Sequence, residues 1–593
     1  MTIGKTRHKL MALSGDAFAN EVEALMGVLS ERVAQSRRLG LLDRQGIDVF
    51  VYRDADQSVE IAIQCKGYER PFESDQVFAL LGEIEKFSQK GPDVKEYWLT
   101  INRPIADRND RNQVETALAG LKRTGKCQST RLLDLDQLTQ FLLERAKERI
   151  IGWVNAFRDR SIAEFRGSMG VVDYITGVPF EHEQKLGADP SKHILTELKD
   201  FRKSVNPSNT GPYRISPRIL LTASFGYGKT STLQEIAKGW MESGGVALYL
   251  PAALLPPGAF THTAGALESF LDILLPDDEV PNAIAMLFIR EAWKKLIRRS
   301  NEWLLLIDAI DECDFWSEHD RLSALWAAVW QLGVPAVVSV RDEVYRSRPV
   351  EFSYTSGQRK GDAFFSQISL LEWEKTQILG FLSKFETTRT EAPSAGFIRL
   401  RDIVQNDEYE RVFGDIPRRP LFLGMLAEDA WDREQPEARL DRLYDRFFRK
   451  KLIHDRFSSG ARGRVVRTGT VFRRFGEEEG AERLLRAMTT MAVDLFNESN
   501  WAGDTTILEF DEEFLRRKLT NQVGDIDEIE EITLNSLIMP LGRRNEAGQR
   551  LYRFAHKSYQ DWLIARGLAT QDALEIENLP DSVAYFAKMM RVD

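Results

Sequence analysis

Residues 223–230 have the types and spacing of a phosphate-binding loop, because two glycines and a Lys-Thr pair follow a short apolar run. Gly226 and Gly228 let backbone N–H groups approach phosphate oxygens, and the helix predicted to follow adds the positive end of its dipole. Lys229 can reach the β- and γ-phosphates, and the Thr230 hydroxyl can bind Mg²⁺. The loop therefore predicts a site for ATP and Mg²⁺. The residues predicted to line it are Ala223, Gly226, Tyr227, Gly228, Lys229, Thr230 and Ser231.

A second motif with acidic residues lies further along the chain, where the apolar run 303–307 ends in Asp308. A carboxylate at the end of such a strand can hold Mg²⁺ through water. Either Asp311 or Glu312 could orient the water that attacks the γ-phosphate. The next apolar run ends at Arg341, which could contact the γ-phosphate or form a surface ion pair. These residues favour hydrolysis at the predicted nucleotide site.

A third group of residues lies near the amino terminus, on two strands predicted to form a hairpin. Gln64 and Lys66 are two residues apart on one strand and therefore share a face, which Asp48 on the other strand can approach. The oxygens of Asp48 and Gln64 suit Mg²⁺, and Lys66 could position or deprotonate a water that attacks a phosphodiester. Glu21 on the opening helix could add a carboxylate, with Glu23 as the alternative. The pattern also fits an ordinary hairpin with an exposed lysine.

The composition limits the class of protein. A chain of 593 residues is too long for one hydrophobic core. The net charge of −10 excludes a uniformly basic nucleic-acid coat, although a local basic groove remains open. Three well-separated cysteines exclude a disulfide framework and a cysteine-rich zinc site. We find no signal peptide and no apolar run that fits a membrane span, so we expect a cytoplasmic protein without membrane contact.

The central and distal motifs resemble those of the NACHT group of STAND NTPases, over about residues 213–570. The spacing of the acids and the strand that ends in Ser-Val-Arg are similar. Segment 416–423 resembles a small-domain segment in which a proline, here Pro420, packs by the adenine. Segment 554–563 resembles part of the winged-helix region of that group. The resemblance implies that His556 contacts the nucleotide phosphate in a closed state.

The amino-terminal pattern, over about residues 10–150, resembles the PD-(D/E)xK nuclease fold. It is most similar to the Mrr-like branch, in which glutamine replaces the middle acid, as Gln64 does here. The resemblance implies a restriction-endonuclease-like α/β/α head that cuts double-stranded DNA with Mg²⁺. Basic residues that could contact the DNA backbone are Arg37, Arg38, Lys122, Arg123 and Lys126.

Together, the two resemblances point to antiviral STAND proteins of the Avs type. They imply a nucleotide-switched DNA endonuclease in anti-phage defence, in which ATP binding and homo-oligomerisation activate the head. A viral or partner protein would be the trigger. An ATP-dependent, type IV-like restriction enzyme that uses its NTPase as a motor or licence remains an alternative. A non-catalytic NTP-switch scaffold for signalling or DNA binding is another.

The expected architecture is a multidomain α/β protein. The nuclease-like head covers 1–158, and a connector covers 159–212. Over 213–370 short apolar strands alternate with helices, which is typical of a parallel-sheet P-loop core. A helical small domain is expected over 371–480, and a winged-helix-like region with a tail over 481–593.

Overall fold

The computed structural model forms two compact units. The first unit contains Met1–Val154 and Phe270–Ser300, and the second contains Asn155–Ser269 and Asn301–Asp593. The structure describes residues 2–30, 34–35, 45–52, 59–169, 178–182, 185–204, 217–255, 260, 266–275, 281–299, 302–313, 315, 319–347, 352, 365–458, 474–499, 508–523, 537–545, 547–554, 557–569 and 579–591. Within these ranges no helix is both long and apolar enough to cross a membrane.

The first unit is built on a five-stranded sheet with the strand order β1-β2-β3-β4-β5. Strands β1 to β3 pair antiparallel, whereas β3, β4 and β5 run parallel. The strands are β1 (Ala34–Gln35), β2 (Val49–Tyr52), β3 (Val59–Lys66), β4 (Val94–Ile101) and β5 (Cys127–Leu133). The helices that begin in this part of the chain are α1 (Thr2–Met11), α2 (Gly15–Ser30), α3 (Asp75–Lys90), α4 (Arg108–Arg123) and α5 (Leu135–Met169). The residues of α5 from Asn155 onward are assigned to the second unit. The expected mixed α/β character of this region is confirmed.

One face of this sheet is covered by α3 and α4. The buried cluster there includes Ala62 of β3, Leu99 of β4, Leu80 and Ile84 of α3, and Leu118 of α4. Because side chains alternate along a strand, Gln64 and Lys66 point to the same face as Ala62. Helix α3 therefore lies on the same face of the sheet as Gln64 and Lys66.

A later segment of the chain completes the first unit. Two helices, α8 (Ala266–Leu274) and α9 (Ala283–Arg299), lie in sequence inside the expected P-loop core. Helix α9 contacts α1 and α2. Asn282, just before α9, donates a hydrogen bond from Nδ2 to Glu21 Oε1 at 2.9 Å. The unit that holds the predicted nuclease site thus includes a segment that the sequence-based boundaries place in another domain.

The close approach of α3 to the start of β2 gives a stability prediction. A Cβ on Gly46, whose φ is +70°, would lie 2.7 Å from the Glu83 carbonyl oxygen. We expect Gly46→Ala to cost roughly 2 to 5 kcal/mol, the sum of a left-handed backbone and a steric clash. Gly125 is the matched control, because its φ is +78° but no atom lies within 4 Å of an added Cβ. Gly125→Ala should cost only about 1 to 2 kcal/mol.

Hydrogen–deuterium exchange of peptides from β2 and α3 measures the loss of stability, because a less stable segment opens more often. We expect faster exchange in Gly46→Ala than in Gly125→Ala. Equal exchange in the two variants would contradict the close packing of α3 on the turn before Asp48.

The second unit contains a seven-stranded sheet with the order β7-β6-β12-β8-β11-β10-β9. Its five strands from β12 to β9 run parallel, as predicted, and β6 and β7 add an antiparallel hairpin. The strands are β6 (Pro179–His182), β7 (Lys185–Ala188), β8 (Arg218–Ala223), β9 (Val246–Pro251), β10 (Trp303–Asp308), β11 (Ala336–Arg341) and β12 (Ser366–Leu370). The helices of this part are α6 (Pro190–Ser204), α7 (Lys229–Glu242), α10 (His319–Leu332) and α11 (Asp342–Ser347). The expected connector 159–212 therefore supplies β6, β7 and α6.

The remainder of the second unit is largely helical, as expected. Its helices are α12 (Lys375–Thr387), α13 (Ala395–Gln405), α14 (Tyr409–Phe413), α15 (Pro420–Trp431), α16 (Leu440–Ser458), α17 (Glu477–Glu498), α18 (Glu512–Val523), α19 (Lys557–Ala569) and α20 (Asp581–Arg591). A small antiparallel sheet has the order β13-β15-β14, with β13 (Glu509–Asp511), β14 (Ile538–Arg544) and β15 (Arg550–Phe554). One buried cluster spans this region, with Trp562 stacked on Phe448 at 4.8 Å between ring centroids. The winged-helix assignment stays a prediction.

Candidate functional site

The hairpin of β2 and β3 brings Asp48 and Gln64 together. The Asp48 N–H donates to the Ile63 carbonyl at 2.9 Å, and the pairing of Val49 with Ile63 places Asp48 opposite Gln64. Asp48 Oδ2 accepts hydrogen bonds from Gln64 Nε2 at 2.6 Å and from the Cys65 N–H at 2.7 Å. The two residues predicted to bind Mg²⁺ are therefore in direct contact.

Gln64 has a buried oxygen that lacks a hydrogen-bond donor. Its side chain is only 1% exposed, and Oε1 has no partner among the described residues. A buried acceptor without a hydrogen bond costs about 1–3 kcal/mol, so such groups commonly mark a place that a ligand or ion satisfies. The Gln64 carbonyl oxygen, held beside the Asp48 carboxylate, fits the oxygen ligands that Mg²⁺ prefers.

Lys66 contacts a carboxylate that the sequence analysis did not single out. Its Nζ lies 3.0 Å from Glu83 Oε1 on α3, and Lys86 Nζ lies 2.9 Å from the same oxygen. Burial acts to raise the pKa of Glu83, but the hydrogen bonds from the two lysines outweigh it, and the pKa falls below its ordinary value. Glu83 is therefore ionised at neutral pH.

A signal for Glu83 was present in the sequence. Val77, Leu80, Ile84 and Phe87 follow a helical spacing, and all are buried on the core side of α3. Glu83 is a charged residue within this apolar stripe and is itself buried. Charged residues are rarely buried unless they are paired, so a glutamate at such a position indicates a specific partner.

Of the two glutamates predicted on α2, Glu23 lies near enough to Cys65 that, after burial and Asp48, it helps to raise the pKa of that thiol. Glu21 accepts the hydrogen bond from Asn282, and burial is the main cause of its raised pKa. Its role as a metal ligand, and that of Glu23, stay predictions. Over the described ranges no group of three or more His, Cys, Asp and Glu side chains could hold a metal ion. A cation at this site thus needs the Gln64 oxygen as well as carboxylates.

The basic residues proposed to contact DNA are only partly described. Lys122 and Arg123 end α4, with exposed side chains. Lys126 donates to the Gly91 carbonyl at 2.7 Å and pairs with Asp93. The remaining two, Arg37 and Arg38, lie outside the described residues.

The second candidate site is the loop between β8 and α7, which has the strand–loop–helix arrangement of a P-loop. Gly226 and Gly228 have φ values of +86° and +89°, which glycine adopts without strain. Lys229 Nζ donates to the Ala223 carbonyl at 2.7 Å and to the Ser224 carbonyl at 3.2 Å. The ammonium group is thus held at the start of the loop. Ser231 follows in the first turn of α7.

Asp308 ends β10 beside the loop, as a metal-binding carboxylate requires. It is 6% exposed and accepts hydrogen bonds from the hydroxyl groups of Ser339 and Tyr249, each at 2.7 Å. Burial raises the pKa of Asp308, while these hydrogen bonds and one from Thr230 oppose the rise. The contact with Thr230 places the two predicted Mg²⁺ ligands of the nucleotide site side by side.

Arg341 pairs with both candidate catalytic acids. Its Nε lies 3.0 Å from Asp311 Oδ2, and its Nη2 lies 3.3 Å from Glu312 Oε1. Burial opposes the charge of the guanidinium, but the two acids outweigh it and raise the pKa of Arg341 above its ordinary value. The structure thus places all three residues together, and the guanidinium neutralises the acids that were predicted to orient water.

The segment around Pro420 lies directly against the loop. The Leu421 N–H donates to the Gly226 carbonyl at 3.3 Å, and Pro420 Cγ lies 3.8 Å from the position of a Cβ on Gly228. The Tyr227 hydroxyl, meanwhile, donates to Glu372 at 2.8 Å. This arrangement places the segment that contains Pro420 against the P-loop, and the packing of Pro420 by the adenine stays a prediction. His556 lies outside the described residues.

No protein-family model matches the chain, and no curated protein matches it. Among solved structures it is similar to Cdc6p from Pyrobaculum aerophilum, with 14% identity and a TM-score of 0.27, over 63% of this chain and 95% of that one. The ORC1 protein of Aeropyrum pernix in complex with DNA gives 14% and 0.27, over 63% and 92%. Drosophila ORC bound to DNA gives 14% and 0.24, over 61% and 94%. TM-scores this low do not establish a shared fold.

Proposed function

We propose that the P-loop of the second unit binds ATP with Mg²⁺, and that this nucleotide controls a Mg²⁺-dependent DNA endonuclease in the first unit. The observation that carries the proposal is the part-buried hydrogen bond from Gln64 to Asp48, since the strand of Gln64 also carries Lys66. Gln64 Oε1 has no hydrogen-bond donor among the described residues, which supports its role as a ligand of a cation.

The chemistry of the first unit is the hydrolysis of a phosphodiester. When bound, Mg²⁺ supplies a Lewis acid for the phosphate and lowers the pKa of a water. Asp48 and Gln64 would hold the cation through oxygen atoms. The Lys66 ammonium, fixed by Glu83, offers a positive charge and hydrogen bonds to an attacked phosphate oxygen.

The nucleotide site would act through Lys229 on the phosphates and through Thr230 and Asp308 on Mg²⁺. A nucleotide changes assembly only as far as it binds one arrangement of the protein better than another. We infer that ATP favours a homo-oligomer in which cleavage is active. The resemblance to antiviral STAND proteins supports a defence role triggered by a viral or partner protein.

The direct test incubates the purified chain with supercoiled plasmid, with and without Mg²⁺ and ATP. Gel electrophoresis measures nicking and linearisation, while mass photometry measures assembly. We expect cleavage that needs Mg²⁺ and rises with ATP together with oligomer mass. A chain that leaves the plasmid intact under every condition, with the trigger supplied as phage lysate, would contradict the endonuclease.

The same assay separates the switch from a motor-driven restriction enzyme. A switch turns over ATP slowly and needs binding more than hydrolysis, so a non-hydrolysable analogue should support cleavage. A motor requires hydrolysis, and DNA should stimulate its ATPase.

A further inference from the structure

Helix α3 carries a buried carboxylate that faces the strand of the proposed nuclease site. We propose that Glu83 is a third protein ligand of a divalent-cation site with Asp48 and Gln64, and that it also positions Lys66. The inference rests on the proposed function and assigns to α3 the carboxylate that the sequence analysis sought on α2.

The backbone brings Glu83 close to Asp48. A Cβ on Gly46, two residues before Asp48, would lie 2.7 Å from the Glu83 carbonyl oxygen. The buried Tyr97 hydroxyl donates to the Gly46 carbonyl at 3.2 Å, and its pKa is raised by burial, by Glu83 and by Asp48. Both carboxylates therefore act on one hydroxyl group at the end of the hairpin.

Two buried oxygens at this site lack hydrogen-bond donors in the described part of the chain. They are Gln64 Oε1 and Glu83 Oε2, on side chains of residues that are 1% and 8% exposed. An unpaired anionic oxygen is costly to bury. A divalent cation held by both oxygens and by Asp48 would remove this cost, because these oxygen atoms are the kind of ligand that Mg²⁺ prefers.

The two oxygens of Glu83 have separate tasks in this arrangement. Oε1 accepts from Lys66 at 3.0 Å and from Lys86 at 2.9 Å, which fixes the Lys66 ammonium. Oε2 remains for the cation. Glu83 thus sets the distance between the cation and the ammonium group, the two positive charges that stabilise a phosphodiester transition state.

Binding of Mn²⁺, measured by electron paramagnetic resonance, tests the ligand without measuring activity. The full chain is used free of nucleotide and with Thr230→Ala, which weakens metal binding at the P-loop. We expect Glu83→Gln to raise the Mn²⁺ Kd at least tenfold. Glu85→Gln is the matched control, because Glu85 is exposed on the same helix and its Oε1 accepts a hydrogen bond from Gln89. Its Kd should stay within twofold of the parent.

Glu21→Gln tests the competing assignment, in which the additional carboxylate ligand is Glu21 of α2. A tenfold loss of affinity in Glu21→Gln, with none in Glu83→Gln, would overturn the inference and return the ligand to α2. If Glu83→Gln fails to fold, Glu83→Asp keeps the charge that pairs with the lysines and withdraws the oxygens by one methylene. It should fold and still bind Mn²⁺ more weakly than the parent.

The outcomes separate this inference from the proposed function. If the parent chain binds Mn²⁺ and cleaves DNA while both Glu83 variants bind as the parent does, Glu83 is not a ligand and the nuclease stands. If the parent chain neither binds Mn²⁺ nor cleaves DNA, both proposals fail.

Discussion

Lys66→Ala is expected to lower the rate of plasmid cleavage about 10²- to 10³-fold, the loss typical of removing one hydrogen-bond donor that stabilises charge in a transition state. The lysine lies on the same strand face as Gln64, and its ammonium is fixed by Glu83. Initial rates of nicking at saturating Mg²⁺ measure the effect, and unchanged ATP binding confirms that the second unit is intact.

Lys86→Ala tests whether Lys66 acts on the substrate or only balances the charge of Glu83. Lys86 contacts the same Glu83 oxygen as Lys66, at 2.9 Å, but comes from α3 rather than from the strand. We expect its removal to lower cleavage less than tenfold. Equal losses in the two variants would mean that the lysines serve only to keep Glu83 ionised, and the role assigned to Lys66 would be wrong.

Lys229→Ala is expected to weaken ATP binding at least about 100-fold, since charge-assisted hydrogen bonds to phosphate contribute about 1.5–3 kcal/mol each. The ammonium is held at the start of the loop by the carbonyl groups of Ala223 and Ser224. Titration with a fluorescent ATP analogue measures the loss. If nucleotide controls the first unit, the ATP-dependent part of plasmid cleavage disappears in the same variant.

Lys238→Ala is the control for this experiment, because Lys238 is exposed on the same helix, α7. Tight ATP binding in Lys229→Ala would overturn the P-loop assignment. Loss of ATP binding with full ATP stimulation of cleavage would instead show that another site senses the nucleotide.

The sequence predicted those parts of the two sites that local patterns determine. The P-loop is contiguous, so Gly226, Gly228 and Lys229 could be assigned from spacing alone. Strand alternation was enough to place Gln64 and Lys66 on one face. The contact of Asp48 with Gln64 followed from a hairpin, which is also a short-range feature.

The other contacts of the two sites depend on long-range packing, which local sequence patterns do not predict. Glu83 could be noticed as a charge in an apolar stripe, but its contact with Lys66 depends on how α3 crosses the sheet. The hydrogen bond of Glu21 depends on Asn282, which is far away in the chain. The pairing of Arg341 with Asp311 and Glu312 likewise required the register of β10 and β11. No periodicity in the sequence encodes these three contacts.

The first unit is built from two separate segments of the chain, and this affects the order in which it is synthesised. The ribosome completes Val154 well before Ser300, and at about 5–20 residues per second the interval is roughly 7 to 30 s. During that time α1 and α2 lack α9, so their contact surface is open to chaperones. Interrupted translation products that stop before Phe270 therefore lack the second of the two segments from which this compact unit is built.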